Sequence, residues 1–199
     1  IDYVYSLDHI VVPGETLSAK KREVFPGGKG LNQSVAAARA GAEVYHAGII
    51  GADGEMLRAV LEESGADTRY LQTEAQPNGH AVIQVAGNAQ NSIFLYEGTN
   101  GMVTKDYIDS VLQNFGEGDI LLLQNEINLL DYIVDSAYEK GMTIALNPSP
   151  YNEKLDATLF DTEVAYQAFK EWVNLYDTYG LDRSFSFYNV FRSGEMPMA

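Results

Sequence analysis

Apolar residues along the first 150 positions follow two repeating patterns, one typical of strands and one typical of helices. Six short runs have the composition of strands: 1–6, 44–50, 81–85, 92–96, 119–124 and 142–146. The run at 119–124 contains four consecutive apolar residues, which is typical of a strand buried on both faces. A short link with a glycine joins the runs at 81–85 and 92–96 and predicts a hairpin.

Apolar residues at helical spacing lie between these runs. Helices are predicted over about 31–41, from Asp53 to near Gly65, from Thr104 onward, and over about 129–139. Asp53 is predicted to cap the second of these helices. Because strands alternate with helices of about ten residues, the sequence predicts an α/β fold with a mostly parallel sheet flanked by helices.

Polar residues directly follow two of the predicted strands. Glu126 lies just past the strand at 119–124, and Asn147 lies just past the strand at 142–146. In open α/β sheets, ligands bind beyond the carboxyl ends of the strands. We therefore expect site residues at these two positions.

A glycine-rich run from Phe25 to Gln33 (FPGGKGLNQ) precedes the first predicted helix. Glycines let the backbone approach a ligand closely, and the start of a helix offers unpaired N–H groups. Lys29 adds a positive charge, and Asn32 and Gln33 both donate and accept hydrogen bonds. The run fits the floor of a pocket for a polyhydroxylated or anionic small molecule. It fits equally well a glycine-rich turn before an ordinary helix, and its chemistry alone does not decide between the two.

Two well-known phosphate-binding motifs are excluded at this run. A P-loop has Ser or Thr directly after its Gly-Lys pair, whereas Gly30 follows Lys29 here. A dinucleotide fingerprint has a third glycine where this chain has Gln33. The run is therefore neither a P-loop nor a Rossmann fingerprint.

Composition narrows the function classes further. The 199 residues carry 13 basic and 28 acidic side chains, and the net charge of −15 argues against nonspecific binding to nucleic acid or to anionic membranes. There is no cysteine, and His9, His46 and His80 lie too far apart in sequence for metal-ligand spacing. No apolar run is long enough to span a bilayer and no signal peptide is visible, so we expect a cytoplasmic protein. Because the first residue is Ile1, we expect the native start to lie upstream.

Several separated motifs together resemble one family, the ribokinase-like (PfkB) carbohydrate kinases. They occur in the family's order: Val12-Pro13-Gly14-Glu15-Thr16, Gly27-Gly28-Lys29-Gly30-x-Asn32-Gln33, Ile50-Gly51-x-Asp53-Gly54, Gln124-x-Glu126 and Ala145-Leu146-Asn147-Pro148-Ser149-Pro150. The resemblance implies a partial ribokinase-like domain over 1–157, with the C-terminal half of the fold missing. It also implies a small β-lid from about 10–25 and 80–97, which closes over the sugar and joins two copies in a homodimer.

The resemblance also implies a substrate site for a small-molecule sugar. Asp2 and Glu126 match acidic residues on two sides of the sugar, and three residues of the glycine run match sugar contacts: Gly28, Lys29 and Asn32. The chemistry is consistent with this, because carboxylates accept hydrogen bonds from vicinal hydroxyls, whereas Lys and Asn donate to them. Without the family, Asp2 reads as a solvated strand end, and Glu126 reads as a helix-capping or surface acid.

The reaction that the resemblance implies is transfer of the γ-phosphoryl group of ATP to a sugar hydroxyl, with ribose as the default sugar and Mg at the phosphates. The family's catalytic aspartate lies in a motif Asp-Thr-x-Gly-Ala-Gly-Asp, which this sequence does not contain. The nearest match, at 177–180, lacks the second half of that motif and is rejected. We therefore predict no catalytic, nucleotide-binding or metal-binding residue, and expect weak sugar binding without phosphoryl transfer. The alternative is a non-enzymatic sugar-binding or assembly fragment.

The sequence pattern changes after about residue 157. The segment 160–198 is similar to a piece of the extracellular solute-binding proteins of ABC transporters, on the residues 165–172 and 191–197. We interpret 158–199 as a helical, aromatic-rich tail of foreign origin. A chimeric or mis-joined reading frame is the simplest account of this junction.

Overall fold

The structure of the chain is a computed structural model that describes residues 1–149. The strands are β1 (Asp2–Leu7), β2 (Lys21–Phe25), β3 (Gly48–Gly51), β4 (Leu71–Glu74), β5 (His80–Ala86), β6 (Asn91–Tyr96), β7 (Ile120–Gln124) and β8 (Thr143–Asn147). The helices are α1 (Lys29–Arg39), α2 (Glu55–Glu63), α3 (Lys105–Leu112) and α4 (Leu130–Glu139), with a 3-10 helix at Gly98–Met102. The tail predicted over 158–199 lies outside the described residues.

The described strands form one mixed sheet and two parallel pairs. The mixed sheet has the order β2-β1-β5-β6, in which β1 and β5 are parallel and the outer pairings are antiparallel. β3 pairs with β4, and β7 pairs with β8, both in parallel. Parallel pairing, with helices in the connections, is what the α/β pattern of the sequence predicts. The chain therefore has the predicted α/β fold.

A compact apolar core joins α1 and α2 to β3 and β4. Leu61 on α2 is fully buried at its centre. Burial of such a side chain stabilises the fold by about 2 kcal/mol. The other buried members of the cluster are Ile1, Leu31, Ile50, Leu57, Ala66 and Leu71.

The two predicted helix starts have different outcomes. The helix predicted from Thr104 onward is confirmed as α3, and Thr104 caps it, because its Oγ1 accepts a hydrogen bond from the backbone N–H of Tyr107 at 3.2 Å. The predicted cap at Asp53 is wrong, since α2 begins after Gly54 and no side chain caps it. The Asp53 carboxylate instead accepts a hydrogen bond from the backbone N–H of Asn78 at 2.8 Å, a contact between distant parts of the chain.

Two strand predictions also need correction. The run at 44–50 is shorter than predicted, because β3 begins only at Gly48 and Tyr45 makes an isolated bridge to Asp67. The strand at 119–124 is not buried on both faces, since Ile120 is 71% and Leu122 is 48% exposed. Alternate side chains of a strand point to opposite faces, so these two share a side of β7 that no described element covers.

No helix among residues 1–149 is both long and apolar enough to cross a membrane.

Candidate functional site

The glycine run forms a tight connection from β2 into α1. Only three residues separate Phe25, the last residue of β2, from Lys29, the first residue of α1. Gly28 lies at the N-cap position with φ of 113°, a conformation that residues with a side chain rarely adopt. No side chain caps α1, so the first-turn N–H groups of the helix are not covered by a capping side chain.

Asp2 lies directly against the glycine run. A Cβ atom placed on Gly27 would overlap the carboxylate of Asp2, so Gly27 must be a glycine for the two to lie this close. Asp2 is also the register partner of Phe25, at the end of β2. The antiparallel pairing of β1 and β2 therefore brings the predicted acidic residue to the turn that carries the predicted cation.

Lys29 and Glu126 meet across 97 positions of sequence. The Lys29 ammonium donates a hydrogen bond to Oε1 of Glu126 at 2.6 Å, and the two groups form an ion pair. The side chains are 38% and 21% exposed, so solvent reaches both. The structure thus places the cation of the glycine run against the acid that follows β7.

The carboxyl ends of β7 and β8 lie side by side, as the parallel pattern predicts. Gln124, the last residue of β7, is the register partner of Asn147, the last residue of β8. Glu126 follows two residues later, at the same edge. The Asn147 side chain accepts a hydrogen bond from the backbone N–H of Ser149 at 3.1 Å and so stabilises the local turn.

Asn32 lies one turn into α1 and is exposed. Its backbone N–H donates to the carbonyl of Gly28 at 3.0 Å, which closes the first helical turn. Residues three apart on a helix are neighbours, so Asn32 is on the same side of α1 as Lys29. The five predicted site residues therefore converge on the first turn of α1, with Asp2 and Glu126 reaching it from β1 and from the end of β7.

One face of the mixed sheet adds apolar side chains to this region, which sequence reasoning did not identify. The register pairs Asp2 with Ala81, Ala81 with Leu95, and Ile83 with Ile93. Paired residues project from the same face of a sheet, so these four apolar side chains share a face with the Asp2 carboxylate. Ile93 and Leu95 are 53% and 55% exposed. The sequence predicted the hairpin, but not its pairing with β1.

Asn78 is a second feature that the sequence did not reveal. It is only 4% exposed, and its Oδ1 accepts a hydrogen bond from the backbone N–H of Gly51 at 2.9 Å. Its Nδ2 donates to the carbonyl of Gly79 at 2.7 Å. With the contact to Asp53, these bonds tie the start of β5 to the loop after β3 and orient the hairpin relative to the core. Its only signal in the sequence is a Pro-Asn-Gly turn pattern at 77–79.

Within residues 1–149, no group of three or more His, Asp or Glu side chains is placed to hold a metal ion. The ion pair at the site has one carboxylate and one ammonium, which is not a donor set for a divalent cation. The arrangement is suited to a neutral ligand with several hydroxyl groups. Carboxylates and an ammonium then provide acceptors and donors in one small space.

Comparison with known proteins shows which family the sequence matches. The family described as "pfkB family carbohydrate kinase" matches residues 1–178, which extends beyond the junction predicted near residue 157. Ribokinase from Haemophilus influenzae is 36% identical over 154 residues, covering 75% of this chain and 50% of that protein. The chain thus spans about half the length of this relative.

Solved structures agree in fold. Ribokinase from Cryptococcus neoformans, in complex with ADP, is 36% identical with a TM-score of 0.64, over 76% of this chain and 49% of that one. Ribokinase from Arabidopsis thaliana, complexed with ribose and ATP, is 28% identical with a TM-score of 0.62, over 73% of this chain and 49% of that one.

Proposed function

Because the chain belongs to the pfkB family of carbohydrate kinases, we propose that it carries the sugar-binding face of a ribokinase-type enzyme. The reaction is transfer of the γ-phosphoryl group of ATP to a sugar hydroxyl, with ribose as the sugar. The observation that carries the proposal is the Lys29–Glu126 ion pair at 2.6 Å, which joins the glycine run to the carboxyl end of β7. The Arabidopsis relative complexed with ribose and ATP supports the choice of sugar.

Each site residue has a role that follows from its chemistry. The carboxylates of Asp2 and Glu126 accept hydrogen bonds from sugar hydroxyls, and Lys29 and Asn32 donate to them. Gly28 leaves open space at the turn, since a Cβ there would have no atom within 4 Å. A hydroxyl-rich ring can therefore approach the backbone of this turn closely.

The apolar face of the mixed sheet complements these polar contacts. A pentose has C–H groups on its ring as well as hydroxyls. The apolar side chains that share a face with Asp2 can pack against these C–H groups. Covering the sugar with such a face removes water and strengthens the charged hydrogen bonds beneath it. We assign this lid role to the sheet β2-β1-β5-β6, with Ala81, Ile83 and Leu95 as the covering side chains.

The ion pair also prepares the site before sugar arrives. Lys29 and Glu126 already face each other at hydrogen-bond distance, so a ligand has to impose less side-chain ordering. Sugar hydroxyls can then bridge the two groups without leaving either charge unpaired.

Phosphoryl transfer itself needs groups that this chain is not proposed to supply. Neither the family's aspartate motif nor its glycine-rich anion hole occurs in the 199 residues. Removal of a single preorganised donor to developing charge typically costs a factor of about 100 or more. We therefore propose that the 199-residue chain binds sugar but does not turn over ATP and sugar by itself.

Calorimetric titration of the 199-residue chain with ribose tests this function. We expect ribose binding that weakens at least about tenfold in Lys29→Met, because a charge-assisted hydrogen bond contributes roughly 1.5–3 kcal/mol. Lys140→Met, on an exposed residue just after α4, is the matched control and should leave ribose binding unchanged. Ribose affinity that survives Lys29→Met would contradict the site. ATP-dependent sugar phosphorylation by the purified chain would contradict the proposed lack of transfer.

We further propose that two copies associate through the lid. Strand β6 is at the edge of the mixed sheet, and Ile93, Phe94, Leu95 and Tyr96 are all between 50% and 56% exposed. An exposed apolar edge strand is a ready surface for pairing with another chain.

A further inference from the structure

Two side-chain contacts, not one, connect α1 to the end of β7. The first is the Lys29–Glu126 ion pair. The second is a hydrogen bond in which Nε2 of Gln124 donates to Oε1 of Gln33. The spacing makes the two contacts neighbours, because residues 29 and 33 are one turn apart on a helix, and residues 124 and 126 are two apart along the chain.

Gln124 is an unusual residue for its position. The side chain is 8% exposed, whereas the preceding residues of β7 are Ile-Leu-Leu-Leu. Its Oε1 is buried and has no hydrogen-bond partner among the described residues. Its Cγ lies under α1, at 3.7 Å from where a Cβ of Gly30 would be. A buried polar group with one unmet acceptor costs stability compared with an apolar side chain, so core packing does not account for the Gln124 amide.

The segment that carries Glu126 is held at its other end as well. Asn128 Oδ1 accepts a hydrogen bond from the backbone N–H of Val103 at 3.0 Å, and its Nδ2 donates to the carbonyl of Val103 at 2.7 Å. Glu126 thus lies between Gln124, which is bonded to α1, and Asn128, which is bonded to the backbone before α3. The Gln124 contact ties the start of this segment to the helix that carries Lys29.

We propose that Gln33 and Gln124 are positioning residues that set the separation of Lys29 and Glu126, and thereby the affinity of the site for sugar. The inference rests on the proposed sugar-binding function. Of these two contacts, the ion pair is partly exposed, whereas the Gln124 side chain is buried. A partly exposed ion pair between long side chains holds geometry weakly.

The test compares Gln33→Met, Gln124→Met and the double variant in the 199-residue chain, with ribose as the probe. Each single variant should weaken ribose binding about fivefold to tenfold, the usual effect of losing one net hydrogen bond at a site. Because both substitutions break the same bond, the double variant should weaken binding by about the same factor rather than by the product. Gln113→Met is the matched control, since Gln113 follows α3 and its exposed side-chain amide donates to the nearby Ser110 carbonyl.

A second measurement needs no sugar. The side-chain ammonium signal of Lys29 in a ¹⁵N-labelled sample reports its ion pair, and Glu126→Gln supplies the reference for the unpaired state. We expect Gln124→Met to shift the Lys29 signal toward that reference, while the Gln113→Met signal stays at the wild-type position. A purely structural role would lower the melting temperature without moving this signal in the folded protein.

The outcomes separate the two proposals. If wild-type chain binds no ribose, the proposed function fails, and the Lys29 signal still decides the positioning role. If ribose binds but the folded glutamine variants bind it as wild type does, the positioning role is overturned and the sugar site stands. Multiplicative losses in the double variant would equally overturn it, because they would mean that the two amides act separately.

Discussion

At the residue scale, two adjacent glycines are required for different physical reasons. Gly28 has φ of 113° but open space around its Cα, so its backbone conformation is what excludes a side chain. Gly27 has no such φ, but a Cβ there would collide with the Asp2 carboxylate. Gly27 thus makes room for the Asp2 carboxylate, and Gly28 allows the chain to turn into α1.

We predict that Gly27→Ala weakens ribose binding by about tenfold or more, because the Asp2 carboxylate must move and its charge-assisted hydrogen bond to the sugar is worth roughly 1.5–3 kcal/mol. Calorimetry of the folded variant measures the effect. Gly30→Ala is the comparison for folding, since a Cβ there meets only Gln124 Cγ at 3.7 Å, an ordinary contact. It should raise stability slightly, as Ala is a better helix former than Gly. Wild-type ribose affinity in Gly27→Ala would show that Asp2 is not a ligand.

At the element scale, α1 is anchored away from the sugar site by a histidine. Nδ1 of His46 and Oγ of Ser34 on α1 are within hydrogen-bond distance at 2.8 Å, and the His46 backbone N–H donates to the Asp67 carbonyl at 2.9 Å. Desolvation of the ring lowers the pKa of His46 from 6.5 to about 4. The ring is therefore neutral at physiological pH, and α1 is joined to the chain before β3 by a neutral contact.

This depressed pKa predicts acid sensitivity. A His whose pKa is lower in the folded state binds protons more tightly when unfolded, so folding stability is full above about pH 6.5 and falls as the pH approaches 4. The shift corresponds to a loss of roughly 3 kcal/mol across that window. Urea unfolding at a series of pH values measures it. At each pH, the free energy of unfolding of His46→Gln is subtracted from that of wild type. This difference removes the contribution of carboxylates that titrate in the same pH range.

His9→Gln is the control for that experiment, because His9 is 54% exposed and pairs with Glu15 at the surface. Its pH profile should follow that of wild type. An unchanged slope in His46→Gln between pH 6.5 and 4 would contradict the burial argument.

At the scale of the whole molecule, apolar surface is concentrated at two places in the described residues. One is the edge strand β6, where four consecutive apolar side chains are about half exposed. The other is the face of β7 that carries Ile120 and Leu122. The family match continues to residue 178, so the family's sequence pattern extends past the last strand described.

We predict that β6 mediates the homodimer. The double variant Ile93→Glu/Phe94→Glu should shift the chain to monomer at micromolar concentration, because it places like charges on both faces of the edge strand. Light scattering after size-exclusion chromatography measures the mass. Ile93 lies on the face proposed to cover the sugar, and the variant leaves the other three apolar side chains of that face intact, namely Ala81, Ile83 and Leu95.

Ile120→Glu is the matched control, since Ile120 is the most exposed of the large apolar side chains in residues 1–149, at 71%, and lies outside the mixed sheet. It should leave the mass unchanged. A dimer that persists in the β6 variant, or one that Ile120→Glu dissolves, would place the interface elsewhere.

Local patterns predicted the elements well and the contacts between them poorly. The helix at Thr104 was predictable because its cap and its apolar stripe lie within nine residues of each other. The role of Asp53 was not predictable, because its carboxylate accepts a hydrogen bond from the backbone N–H of Asn78, 25 residues away, and does not cap α2. Similarly, the apolar run at 119–124 fits a fully buried strand, but exposure depends on what packs against it, which the run itself does not contain.

The sequence by itself determined the α/β class, the glycine turn into α1 and the chemical types available at the site, because these depend on periodicity and on residues close together in the chain. Only the tertiary structure decided that β1 lies between β2 and β5, which puts Asp2 on a face with Ala81. It also decided that Lys29 reaches Glu126 and that Gln33 bonds to Gln124. Contacts across about ninety positions depend on how helices and strands pack, and no local pattern encodes that packing.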